Sequence, residues 1–105
     1  MNIIVLGAGT FGTAIANELS VNTENNVVLF SRNKEKVDEI NSYNTNKSCF
    51  PNKHLTKHLR ATFDKKEIQS ADVIFIALPS PVIVENLKNL KPYFSKSVLF
   101  VNCRS

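Results

Sequence analysis

Apolar and polar residues alternate in blocks along this chain. Residues 3 to 6, Ile-Ile-Val-Leu, form an unbroken apolar run that is mostly β-branched. A strand with one solvated face would alternate apolar with polar positions, so a continuous run predicts a strand buried on both faces, as in a parallel sheet. Similar runs lie at 27 to 30, 73 to 78 and 98 to 101, and a shorter strand fits at 59 to 63. Helical spacing falls between them. A first helix is expected over 13 to 19, burying Ala14, Ile15 and Leu19. A second, over 33 to 42, has Ser31 as its cap and turns Val37 and Ile40 inward. Asp64 can cap a short helix reaching 69. The stretch 82 to 90 places Val84, Leu87 and Leu90 on one stripe, and Pro92 stops it. Residues 22 to 26 form a polar turn. Residues 41 to 60, rich in Asn, Ser, Thr and Lys, predict a long loop, and such loops inside small domains carry function or move.

Strands alternating with helices imply right-handed crossovers and a doubly wound α/β sheet of about five parallel strands. A full domain of this class has six or more, so the last strand should leave an edge and an apolar helix face uncovered. A marginally stable or self-associating protein is expected on that ground. Ligands of such sheets bind beyond the carboxyl ends of the strands. Attention therefore falls on residues 7–12, 31–33 and 79–81, and on whatever follows Val101.

Composition narrows the classes without changing this picture. The 105 residues are 43% hydrophobic and 21% charged, with a net charge of +4. Those values exclude a disordered or collagen-like chain. The longest apolar run falls well short of the roughly 20 residues of a spanning helix. Met1-Asn2 brings no basic leader region, and the apolar run behind it is too short for a signal peptide. Two cysteines, Cys49 and Cys103, suit free thiols in a reducing cytoplasm. Acids are interleaved with lysines over 34 to 39, which predicts a solvated face rather than a nucleic-acid stripe. The length suits one domain, so any separate substrate lobe lies elsewhere.

Residues 7 to 12 read Gly-Ala-Gly-Thr-Phe-Gly, and these are all 3 glycines of the chain. In this G-x-G-x-x-G pattern Gly7 permits the tight turn out of the strand, Gly9 lets a pyrophosphate approach the backbone, and Gly12 lets the helix pack closely on the strand. The helix N-terminus offers unpaired N–H groups to phosphates. The pattern gains weight from its context, after a buried strand and at the start of a helix. An acidic residue about 20 positions on would mark NAD. Here the second strand ends in Ser31-Arg32-Asn33, a hydroxyl and a guanidinium that suit a 2′-phosphate and favour NADP over NAD.

These segments resemble the N-terminal part of the bacterial type of NAD(P)-dependent glycerol-3-phosphate dehydrogenase. Gly7 to Ala14 is similar to that family's glycine loop, and Ser31-Arg32-Asn33 falls where it carries a basic residue. Asn46-Lys47-Ser48-Cys49-Phe50-Pro51 resembles its Asn-x-x-Tyr-Leu-Pro loop, with Cys49 in place of Tyr. Ala77-Leu78-Pro79-Ser80 resembles its Ala-Val-Pro-Ser turn. The resemblance covers the whole chain and implies a Rossmann-like cofactor domain over residues 1–105. It implies cofactor contacts at Gly7, Gly9, Thr10, Phe11, Gly12, Ser31, Arg32, Pro79 and Ser80. It further implies hydride transfer between the nicotinamide and C2 of dihydroxyacetone phosphate or glycerol 3-phosphate, the latter feeding phospholipid synthesis, in a cytoplasmic, homo-oligomeric full-length enzyme. The family's lysine after the next strand would fall near Ser105, where Arg104 is the nearest cation. With no catalytic residue assigned and no helical substrate domain, the chain is expected to be a truncated or split product, inactive alone. Another two-domain dehydrogenase, resembling ketopantoate reductase or 6-phosphogluconate dehydrogenase, is a weaker alternative, as is a non-catalytic dinucleotide-binding module.

Other constellations carry less. His54 and His58 are four apart with Cys49 upstream, but no set of ligands is completed, and no metal is expected. Lys53, Lys57 and Arg60 join them in a basic cluster best read as a solvated loop. Ser80 lacks the G-x-S-x-G setting of a nucleophile, and Cys103 reads as a buried thiol.

Overall fold

A computed structural model describes residues 1–103. Its strands are β1 (Asn2–Leu6), β2 (Asn26–Phe30), β3 (Arg60–Thr62), β4 (Val73–Ile76) and β5 (Leu99–Asn102), and its α-helices are α1 (Thr10–Ser20), α2 (Lys34–Tyr43) and α3 (Ser80–Leu90). All five strands pair in parallel in the order β3-β2-β1-β4-β5. The chain thus winds outward from β1 in one direction, returns, and winds outward in the other. This is the doubly wound, Rossmann-like sheet expected from the sequence, with its switch point between β1 and β4.

Each apolar run splits its side chains between the two faces. Ile3, Val5, Val27 and Leu29 meet Ala16, Val37 and Ile40 of α1 and α2, while Ile4, Leu6, Val28, Phe30, Ile74 and Ile76 meet Ile68 and Leu90 on the opposite side. Both halves of every central strand are buried, which is why these strands read as unbroken apolar runs.

Several local expectations shift. Helix α1 begins at Thr10, not at 13, and its buried face is Gly12, Thr13, Ala16 and Ser20. Ala14 is exposed, and Ile15 and Leu19 are only partly buried. Small side chains bring α1 close to the sheet, so the face in contact is not the most hydrophobic one. The cap of α2 is Asn33, whose side chain accepts from the N–H groups of Glu35 (3.0 Å) and Lys36 (3.2 Å). Ser31 instead accepts from Asn33 N–H at 3.1 Å, one turn earlier. Asp64 caps a 3-10 turn over Lys65–Ser70, as expected. Strand β4 ends at Ile76, and Ala77 and Leu78 lead into α3. In α3, Val84 is 65% exposed, and the packed stripe is Ile83, Leu87 and Leu90.

At the outer edge, β5 carries Leu99 at 61% and Phe100 at 42% exposure. Among the described residues nothing pairs with its outer side, in keeping with the uncovered edge expected above. The 44–59 segment folds back over the α1–α2 face. Leu55 and Leu59 are buried there, and an isolated bridge joins Thr45 to His54. Glu39 fastens its start, accepting from Thr45 Oγ1 at 2.7 Å and Lys47 N at 2.8 Å.

Candidate functional site

The carboxyl ends of β1, β2, β4 and β5 open onto one cleft of about 1090 Å³. That is at the upper end of what small-molecule sites enclose. Two helices begin at its rim, α1 behind Gly9 and α3 behind Pro79. Neither has a side-chain cap, so their first N–H groups and the positive ends of their dipoles are free for an anion.

The three glycines do three separable things. Gly7 has φ +106°, a backbone region closed to side chains without strain, and a Cβ there would lie 2.7 Å from the Ala77 carbonyl oxygen. Gly12 does not line the cleft. It is buried beneath, where a Cβ would run into the Gly7 carbonyl and press on Ala77. Gly9 has ordinary extended geometry, φ −76° and ψ −172°, and a Cβ there would meet nothing among the described residues within 4 Å. It lines the cleft, so its missing side chain leaves room for something other than this chain.

Of the remaining residues expected at the site, Thr10, Phe11, Ser31, Arg32, Pro79 and Ser80 all line the cleft. Ser31 is anchored through its N–H to the Thr62 carbonyl at 3.0 Å, which fixes the end of β2 against β3. Arg32 is exposed, and among the described residues no carboxylate pairs with it; the ion pair found there joins Arg60 to Glu67 at 2.9 Å. Among the described residues, the charged side chains lining the cleft are Arg32 and Lys36, and no Asp or Glu lines it. The cleft is therefore largely apolar, with two cations and backbone donors at its rim, and suits a ligand that combines flat apolar groups with an anionic centre.

Lys36, Asn46 and Phe50 escaped the sequence reading of the site. Lys36 belongs to the stretch read as a solvated face, yet it is half-buried, and its Nζ donates to the Ala8 carbonyl at 3.2 Å. Asn46 is fully buried, and its Nδ2 donates to the Ala8 carbonyl at 3.2 Å and to Thr13 Oγ1 at 3.0 Å. It heads the Asn46–Pro51 segment, the one sign it carried. Phe50 lines the cleft.

None of the basic cluster of the sequence lines the cleft, although Lys53 Nζ stands 5.7 Å over the ring of Phe50, which does. Arg60 begins β3, at the opposite end of the sheet, and His54, Lys53, Lys57 and His58 are exposed. Among the described residues no group of His, Cys, Asp and Glu is arranged to hold a metal. Cys49 and Cys103 are both free thiols. Cys103 lines the cleft beyond β5, and burial pushes its pKa up, which keeps it a neutral thiol. Arg104 and Ser105, where the resemblance would place the family's lysine, lie outside the described residues.

Known proteins agree with this geometry. In sequence, the chain is 37% identical to the glycerol-3-phosphate dehydrogenase (NAD(P)+) of Neorickettsia sennetsu over 103 residues, which is 98% of this chain and 30% of that protein. It is 36% identical to the enzyme of the same name from Bacillus subtilis, over 95% of this chain and 29% of that one. In structure, it matches the crystal structure of glycerol-3-phosphate dehydrogenase from Coxiella burnetii with a TM-score of 0.86 at 29% identity, covering 96% of this chain and 31% of the other. The chain thus spans about 30% of the length of these relatives. The model of one protein family matches residues 2–104, and with that match the chain belongs to the family described as the N-terminus of NAD-dependent glycerol-3-phosphate dehydrogenase.

Proposed function

We propose that this chain is the dinucleotide-binding part of an enzyme that moves a hydride between a nicotinamide cofactor and the C2 position shared by glycerol 3-phosphate and dihydroxyacetone phosphate. The observation that carries the reading is Gly9, whose open Cβ position lies at the start of α1 in a cleft that no carboxylate of the described residues lines. The pyrophosphate would sit on the α1 N-terminus, against Gly9, Thr10 and Phe11, above the turn that Gly7 and Gly12 make room for. Pro79 and Ser80, at the start of α3, face the same cleft from the β4 side and would meet the half of the dinucleotide that carries the nicotinamide. The cofactor supplies or accepts the hydride. The residues here bind and orient it.

Ser31 and Arg32 would receive the adenosine ribose and its 2′-phosphate, which favours NADP over NAD. An exposed guanidinium with no carboxylate partner among the described residues supports this preference. Among the described residues at the β4–β5 end, Asn102 does not titrate and Cys103 faces the cleft as a neutral thiol. The proton for the substrate carbonyl, and the substrate pocket, would come from outside the described residues, so the chain alone binds without turnover. The same family reading carries a cytoplasmic location, a supply of glycerol 3-phosphate to phospholipid synthesis and a homo-oligomeric full-length enzyme.

The test is a fluorescence titration of the chain with NADPH and NADH, followed by an assay with dihydroxyacetone phosphate. Saturable binding, tighter for NADPH and without turnover, is expected. No binding of either cofactor overturns the reading, and turnover at ordinary dehydrogenase rates overturns the assignment of proton transfer elsewhere.

A further inference from the structure

The peptide between Ala8 and Gly9 is held from a distance. Its carbonyl oxygen, on Ala8, accepts from Asn46 Nδ2 and from Lys36 Nζ, each at 3.2 Å. These donors come from 38 and 28 residues away, one from the loop after α2 and one from α2 itself. Asn46 is itself tightly fixed. Its side-chain oxygen accepts from Ser48 Oγ at 3.2 Å, and its backbone carbonyl accepts from the N–H groups of Cys49 (3.1 Å) and Phe50 (2.8 Å). It does not line the cleft.

A trans peptide is planar, so its N–H points opposite to its C=O. Holding the Ala8 carbonyl toward Asn46 and Lys36 therefore aims the Gly9 N–H the other way. That N–H donates to no other described residue. The glycine that keeps the cleft open also makes this arrangement vulnerable. With no Cβ at position 9, the peptide can rotate at little steric cost. A rotated peptide would present a carbonyl oxygen, not an N–H, to an incoming phosphate, and would repel it.

We propose that Asn46, helped by Lys36, is a positioning residue for cofactor binding: it locks the Ala8–Gly9 peptide with its N–H free for the pyrophosphate. This rests on the dinucleotide reading above. The role suits an asparagine, because a buried amide can donate to two acceptors, here Ala8 O and Thr13 Oγ1, and so ties the loop to the first turn of α1.

The experiment compares two ligands on the full chain. NADPH carries the pyrophosphate; 2′-AMP carries adenine, ribose and the 2′-phosphate but no pyrophosphate. Asn46→Leu keeps the volume and removes the donor. Asn46→Asp replaces the amide donor with a carboxyl oxygen and retains an acceptor for Ser48. Each variant is expected to weaken NADPH about tenfold or more while leaving 2′-AMP within about twofold, the loss of roughly one charge-assisted hydrogen bond. A merely structural role would weaken both ligands together. Equal losses for the two ligands, or no loss for NADPH, overturn the proposal. So does failure of both variants to fold, which would reassign Asn46 to the core. If the unaltered chain binds neither ligand, the dinucleotide reading itself falls.

Discussion

Gly9→Ala separates binding from folding. A Cβ at Gly9 would meet nothing among the described residues within 4 Å, and the backbone there, φ −76° and ψ −172°, is open to any residue. Two small effects on stability oppose each other. Alanine is a poorer N-cap than glycine by up to about 1 kcal/mol. It also restricts the unfolded chain, which returns about 0.4–1 kcal/mol. The net is within about 0.5 kcal/mol, or a few degrees in melting temperature for a domain of this size. Binding should respond quite differently, because on the proposed placement the new methyl stands where the cofactor phosphate approaches the backbone. Loss of one charge-assisted hydrogen bond, about 1.5–3 kcal/mol, corresponds to a roughly 10- to 150-fold weaker Kd. The assay is a thermal melt by circular dichroism paired with an NADPH titration. Unchanged affinity would refute the placement of the pyrophosphate at Gly9. A melt lowered by ten degrees or more would refute the reading of position 9 as open space.

The other glycines should behave oppositely: Gly12→Ala collides with the Gly7 carbonyl, and Gly7→Ala combines φ +106° with a 2.7 Å approach to Ala77 O, so each is expected to lose roughly 2 kcal/mol or more of stability. A melt like that of the unaltered chain would contradict this packing. Arg32→Asp places an anion at the end of β2 and should move the NADPH-to-NADH affinity ratio toward NADH by about tenfold or more; an unmoved ratio removes Arg32 from the 2′-phosphate role. Glu39 has its pKa lowered, first by the Thr45 hydroxyl bond and then by Lys47 N–H. A carboxylate whose folded pKa is depressed contributes stability that is complete above its unfolded pKa and is lost as pH falls through the folded one. Glu39→Gln should therefore be less stable by roughly 0.5–1 kcal/mol at neutral pH. That difference should shrink once pH falls below the ordinary glutamate value of about 4.3 and vanish only below the lowered folded value, as denaturant melts across pH would show.

The glycine turn was legible because its constraints are local. A positive φ at residue 7 and a close approach at residue 12 can be met by glycine and little else, and both sit within six residues of sequence. The buried strands were legible for a related reason, since burial on both faces excludes polar residues from the whole run. The helix faces were less so. Hydrophobicity pointed to Ala14 and Val84, whereas α1 packs through Gly12, Thr13, Ala16 and Ser20. Close packing selects small side chains there, and Thr and Ser carry no hydrophobic signal.

What the sequence determined by itself is the alternation of elements, the doubly wound class, the glycine cradle, and the serine and arginine after β2. What only the tertiary structure decided is which distant polar residues complete the site. Lys36 and Asn46 reach Ala8 across 28 and 38 residues of chain. Neither belongs to an apolar period, and a buried hydrogen bond is satisfied by geometry rather than by residue type. A polar side chain in a polar segment therefore looks solvated until the fold brings an acceptor to it.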